Sequence, residues 1–278
     1  MTTLLHISDT HFGTEQPAVV QALVDLAHAR RPDLLVFSGD VTQRARGAQF
    51  AAARRFCDRL GIADWVVLPG NHDVPLFNLA ARLGWPFAGY RRAFGEPLEP
   101  ELDRPAVLVL GVNTTRAHRH KDGEVSAAQV ERVAQRLRAA RARGPGQLRV
   151  VVTHQPAAVQ RPKDVPDRLR GGPQALAAWR DAGADLVLGG HIHLPFVVEA
   201  CDALGAVVPQ AGAAQPLWCV QAGTAVSSRV RHGTCNSVNL IHWDAAMSPR
   251  QCRVERWDHE SGAGFRPQAA QVLRLQDR

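Results

Sequence analysis

The sequence predicts a layered α/β fold, and three observations carry that reading. Through the first 193 residues, short apolar runs alternate with stretches of helical apolar spacing, the pattern of strands interleaved with helices. Beyond residue 193 the helical stretches stop, and strand-like runs follow one another across turns. The chain is also long enough for a large core. It has 278 residues, 45% hydrophobic and 21% charged, and lacks the ~18-residue apolar window of a membrane span. That composition sets aside disorder, collagen and coiled coil for the bulk of the chain.

Taken in order, LLHIS (4–8) is an apolar run that ends in polar residues, and 17–30 shows helical spacing. DLLVFSGD (33–40) is a buried strand with a polar tip, 48–60 is helical, and WVVLPGNHD (65–73) is a strand entering a polar loop. AVLVLGVN (106–113) repeats the pattern. Ser126 caps an amphipathic helix over 127–143, which the GPG at 144–146 closes. LRVVVTHQP (148–156), a helix over 173–182 and ADLVLGGHIH (184–193) complete the alternation, while 157–172 reads as a loop. PFVVEA (195–200), PLWCVQAG (216–223), NSVNLIHW (236–243) and QCRVERW (251–257) predict a second sheet that closes the fold. A single domain over 1–260 is the simplest division. The stretch 261–278 then reads as a polar tail or a short helix.

The net charge is +7. Only Lys121 and Lys163 are lysines, so 31 of the 33 basic side chains are arginines. They are scattered through an Ala- and Gly-rich chain, which points to coding bias rather than a nucleic-acid patch. No basic–aromatic interleaving of the kind that stacks single strands is present. The six tryptophans read as core and rim residues. Cys57, Cys201, Cys219, Cys235 and Cys252 are odd in number, widely spaced and free of CxxC pairs, as expected of reduced thiols in a cytoplasmic protein. The N-terminus has neither the basic region nor the long apolar region of a signal peptide. There is no P-loop and no Gly-x-Ser-x-Gly elbow.

One regularity carries the chemistry: strand after strand ends in a metal-ligating side chain. The first delivers Asp9 and His11, the second Asp40, the third Asn71, His72 and Asp73; later ones deliver His154, then His191 and His193. Open α/β sheets bind ligands beyond the carboxyl ends of their strands. The set mixes imidazole, carboxylate and one amide oxygen without thiolate, which suits Mn, Fe, Zn or Co rather than Cu(I) or an iron–sulfur cluster. It is too large for one tetrahedral ion. Two ions about 3.5–4 Å apart, bridged by one carboxylate, would use it fully.

The order Asp9-x-His11, Gly39-Asp40, Gly70-Asn71-His72-Asp73, His154, Gly190-His191-x-His193 resembles the calcineurin-like metallophosphoesterase family. The likeness runs from residue 6 to 193. LLHISDTHFG and the later GTAVSSRVR and NSVNLI further resemble its bacterial class III cyclic-nucleotide phosphodiesterase branch. The resemblance implies a four-layer α/β/β/α sandwich with two mixed β-sheets and a dinuclear site on its edge. It implies that Asp9, His11 and His193 hold one metal, that Asn71, His154 and His191 hold the other, and that Asp40 bridges them. His72 would face the phosphate as donor or acid, and Asp73 would orient His72 or its loop. Gln155 stands where many relatives have a second histidine; it can hydrogen-bond a substrate or water but cannot act as a histidine-type proton donor.

Weaker candidates are Asn113 and Arg116 after a strand, the basic loop His118, Arg119, His120 and Lys121, and His232. The reading that results is a phosphoesterase that cleaves small phosphodiesters, cyclic nucleotides foremost, by attack of a hydroxide between two metals. A phosphomonoesterase on the same site and a non-catalytic scaffold are the alternatives. A homodimer through the region beyond residue 260 stays open.

Overall fold

Side chains alternate across a strand, and here that alternation sorts the apolar residues into three separate cores. The computed structural model describes residues 1–204 and 216–276. The strands are β1 (Thr2–Ile7), β2 (Leu34–Phe37), β3 (Asp64–Val67), β4 (Glu101–Asp103), β5 (Val107–Gly111), β6 (Leu148–Val152), β7 (Leu186–Gly189), β8 (Phe196–Glu199), β9 (Trp218–Gln221), β10 (Ser237–Trp243), β11 (Gln251–Glu260) and β12 (Gly264–Arg274). The helices are α1 (Pro17–Arg30), α2 (Gly47–Leu60), α3 (Leu79–Gly84), α4 (Ala88–Phe94), α5 (Ala127–Arg141) and α6 (Gly172–Ala182).

One sheet has the order β12-β11-β10-β1-β2-β3 and the other β4-β5-β6-β7-β9-β8. In the first, β1, β2 and β3 run parallel and β10 to β12 antiparallel. In the second, β5, β6, β7 and β9 are parallel, with an antiparallel strand at each edge. Both sheets are therefore mixed. Leu4, Leu34 and Val36 of one sheet meet Val109, Val150 and Leu188 of the other in a central core. Their strand neighbours Leu5, Leu35 and Phe37 face the opposite way, onto Leu23 and Val24 of α1 and Phe56 of α2. Likewise Leu108, Val151 and Val187 pack on Leu137 of α5 and Trp179 of α6. The result is the four-layer α/β/β/α sandwich.

Local chemistry sets the helix ends. Pro17 opens α1, where its missing N–H costs nothing. The Ser126–Gln129 capping box starts α5. These two helices and α6 begin within a residue of the expected positions.

Three expectations are corrected. The strands after residue 193 do not form a sheet of their own: β8 and β9 extend one sheet and β10 to β12 the other. Sequence shows that a strand exists, but long-range pairing decides which sheet takes it. The expected tail beyond 260 is also wrong, because β12 pairs with β11 along its length. Only Phe265 and Leu273 of this strand are buried, so it has no period-two signal and depends on backbone hydrogen bonds from its neighbour. Finally α3, α4 and β4 were not expected. They are short, and α3 buries no residue.

Candidate metal centre

The parallel strands β1, β2, β3, β6 and β7 all point their carboxyl ends to one edge of the sandwich, and the loops that follow are stitched together there. Asp9 N–H donates to the Gly39 carbonyl at 3.0 Å, His11 N–H to the Asp40 carbonyl at 3.0 Å, and Gly190 N–H to the His154 carbonyl at 2.9 Å. Five ligand candidates have left-handed backbone: Asp9 (φ 54°), His11 (42°), Asp40 (50°), His191 (71°) and His193 (55°). Among the described residues only Arg31 and Ala45 share that conformation without being glycine. Each such residue costs roughly 1–2 kcal/mol, so their clustering at one edge marks a functional constraint rather than chance.

Two glycines are needed for close approach. A Cβ on Gly190 would lie 1.9 Å from Ser8 Oγ and 2.5 Å from Asp9 Oδ2. One on Gly70 would lie 2.2 Å from both the amide nitrogen and Oδ1 of Asp40.

The structure brings all seven expected ligands together. The ligand atoms of Asp9, His11 and His193 lie within 4.8 Å of one another, as do those of Asp40, His154 and His191. Asn71 joins the second group, its Oδ1 3.1 Å from His154 Nε2. Asp40 stands between the groups, with Oδ2 3.8 Å from His11 Nε2 and Oδ1 3.3 Å from His154 Nε2. His193 Nε2 lies 3.2 Å from Asp9 Oδ1 and 3.1 Å from His11 Nε2. Asp9, His11, Asp40 and His154 are buried; Asn71, His72, His191 and His193 are half-buried.

Backbone carbonyls aim three of the rings. His154 Nδ1–H donates to the Ser38 carbonyl at 2.9 Å, His193 Nδ1–H to that of Arg229 at 2.6 Å, and His72 Nδ1–H to that of Gln43 at 3.1 Å. Each bond leaves Nε2 as the nitrogen that faces the site.

The groups gathered here demand positive charge. Asp9 Oδ1 is buried without a hydrogen-bond partner. Burial alone would pull the His154 ring down, yet the Asp40 carboxylate outweighs it and raises the ring to about 9. Burial and His193 act oppositely on Asp9, and the net is a carboxyl well below its usual range. Buried carboxylates converging with imidazole nitrogens are the donor set of a divalent ion, and two such groups with Asp40 between them fit two ions; His72 also lies within 4.8 Å of His11 and Asp40.

The model of the calcineurin-like phosphoesterase family matches residues 2–195. The chain belongs to this family. It is accordingly a metal-dependent phosphoester hydrolase. It is 25% identical over 207 residues to a protein named "Probable cyclic nucleotide phosphodiesterase" from Synechococcus, covering 70% of this chain and 74% of that one. Its fold is similar to that of a purple acid phosphatase from yellow lupin (Lupinus luteus) seeds. The TM-score there is 0.71 at 13% identity, covering 98% of this chain but 53% of that one. A dimetal phosphatase from Danio rerio superposes with a TM-score of 0.61 at 12% identity, covering 99% of each chain.

Within this family site, Asp73 does not reach the opening. Its buried carboxylate accepts from the amides of Val41 (3.0 Å), Thr42 (2.7 Å) and Gly70 (2.9 Å) and from Thr42 Oγ1 (2.8 Å). It thereby locks the loop after β2 to the loop after β3. It makes no bond to the His72 ring, so of the two roles expected for it, orienting the loop is the one its contacts match.

Gln155 differs from expectation. It is fully buried, with Oε1 accepting from Thr114 Oγ1 at 2.5 Å and Nε2 donating to the Lys121 carbonyl at 3.2 Å. Both ends bond the 114–121 loop. The basic loop is mostly self-satisfied too. Arg116 donates to the Asn113 carbonyl and Gln129, Arg119 pairs with Glu124, and Lys121 pairs with Asp167 at 2.7 Å. His118, His120 and His232 are exposed. Sequence reading missed Ser38, Gln43 and Arg229, which act through carbonyls that any residue possesses. It also missed Arg231, which pairs with Asp164 at 2.6 Å and donates to the Ile192 carbonyl between the two histidines of that loop.

Proposed function

We propose that this chain is a dinuclear-metal phosphodiesterase, with 3′,5′-cyclic nucleotides as its leading substrate class. The observation that carries the reading is the pair of donor groups with Asp40 between them. Asp9, His11 and His193 would hold one ion, and Asn71, His154 and His191 the other. Bound there, Mn, Fe, Zn or Co ions would lower the pKa of a water between them and clamp the phosphoryl oxygens.

The chain's own groups do the rest. Asp40, which lies between the two groups, would be shared by both ions, and Asp9 would serve the first. His72 is held by the Gln43 carbonyl, so its Nε2 turns to the substrate. There it would act as donor to a phosphoryl oxygen or as the acid for the leaving oxygen when the P–O ester bond breaks and hydroxide oxygen joins phosphorus. The diester and cyclic-nucleotide preference rests on the name of the Synechococcus relative and on its coverage of this chain.

The test is parallel hydrolysis of bis-p-nitrophenyl phosphate, p-nitrophenyl phosphate and 3′,5′-cAMP by Mn-loaded protein. Preference for the diester, with cAMP turned over, supports the full reading. Preference for the monoester moves the chain to the phosphomonoesterase side with the same site. Absence of a stoichiometric metal pair together with silence on all three substrates would make it a scaffold.

A further inference from the structure

Single exposed apolar residues are normal on a protein surface, but a contiguous set is not. Four of the ten large exposed apolar side chains among the described residues fall within nine positions: Phe77 (82% exposed), Leu79 (66%), Leu83 (79%) and Trp85 (72%). Leu79 and Leu83 lie one turn apart on α3, hence on one face, and that helix buries nothing against the core. The presentation is built rather than loose. Asn78 caps α3 by accepting from the Ala81 amide at 2.9 Å, and Arg82 ties it down by donating to the carbonyls of Pro75 (3.1 Å) and Arg119 (3.0 Å).

The charge around this face is mostly positive. From residue 74 to 95 there is no Asp or Glu, against Arg82, Arg91 and Arg92. The Arg44 guanidinium stands 5.6 Å over the Phe77 ring. A hollow of about 430 Å³ beside α3 is lined by Trp85, Pro86, Phe87, Arg91 and Arg92, with Glu96 as its one carboxylate, 3.6 Å from Arg91. In the chain this face follows the metal-site loop: Phe77 comes four residues after Asp73, and Arg44 follows Gln43, whose carbonyl aims His72.

We propose that this face docks on an anionic lipid surface. The leucines of the short helix and the flanking Phe77 and Trp85 seat at the headgroup–acyl boundary, and the surrounding arginines meet lipid phosphates. Charge selects this occupant over the others. A second copy would bring one positive face against another, and a nucleic acid would leave the protruding leucines without an apolar partner.

The experiment is co-sedimentation of the full chain with phosphatidylcholine vesicles, with and without phosphatidylglycerol, across a salt series. The expected result is binding at least about tenfold tighter to the anionic vesicles, weakened by salt. Phe77→Ser with Leu83→Ser, and separately Arg91→Gln with Arg92→Gln, should each remove about tenfold or more while soluble-diester turnover stays unchanged. The arginine pair is exposed, so that variant tests the face even if the apolar one fails to fold. No binding by the wild type, equal binding to both vesicles, or anionic binding that the arginine variant leaves untouched would overturn the proposal. So would a concentration-dependent dimer that the apolar variant abolishes, which would assign the face to a second copy.

Discussion

The metal centre and the rim around it are neighbours built in contrasting ways. At the centre, Asp9, His11, Asp40 and His154 are buried, five ligands sit in left-handed backbone, and three imidazoles are aimed by main-chain carbonyls. At the rim, the loops over 114–124, 157–172 and 229–233 are joined by side-chain pairs: Lys121 with Asp167, Arg170 with Asp122, Arg231 with Asp164. Backbone-fixed groups have one geometry, which is what a pair of ions needs. Two of these pairs, Lys121–Asp167 and Arg170–Asp122, are solvent-accessible and each worth about 0–1 kcal/mol, so their loops can be re-shaped cheaply, which is what substrate choice needs; the Arg231–Asp164 pair is more buried.

Substitutions can break or sharpen this contrast. The largest effect belongs to the ligands. Asn71→Ala or His191→Ala should remove one metal per chain by elemental analysis and lower turnover about a thousandfold, several kcal/mol of lost charge stabilisation. Full activity with full metal content would overturn the assignment. His72→Ala should cost about a hundredfold in kcat and leave metal content intact; loss of a metal would make His72 a ligand instead. Gly190→Ala tests the backbone itself. The added Cβ collides with Ser8 and Asp9, so metal affinity should fall about 10–100-fold, as for other changes that misalign a ligand. Unchanged affinity by calorimetry would show that the loop can give way.

At the rim the effects should shrink and change kind. Gln155→Ala frees the 114–121 loop, so KM should rise a few-fold with kcat and metal content kept; a kcat loss that matches the His72 variant would show that Gln155 acts on the reaction. Smallest of all is a charge cluster on Asp103, away from both regions. Arg143, Gln147 and Arg136 hold the Asp103 carboxyl down at about 2. A depressed carboxyl contributes stability above its ordinary range and loses it as pH falls through about 2. Asp103 is only half-buried, so solvent screening keeps this contribution under about 1 kcal/mol. Asp103→Asn should therefore lower Tm by about 1–2 °C at pH 7 and not at pH 2, with kinetics untouched. An equal shift at both pH values would point to packing instead of charge.

By itself the sequence determined the layered α/β class, the main helices and the seven candidate ligands. Those features are local. Apolar runs of strand length end in His, Asp or Asn whatever the rest of the chain does, and Ser126 with Gln129 caps α5 from three residues away. Tertiary structure alone decided what depends on partners distant in the chain. It sent the strands after residue 193 to both sheets and made 264–274 a strand through pairing that its side chains do not announce. It buried Gln155 under a loop and set the imidazole tautomers with carbonyls of Ser38, Gln43 and Arg229. A carbonyl is common to every residue and a hydrogen bond across the sheet has no residue type of its own, so neither leaves a mark in the sequence.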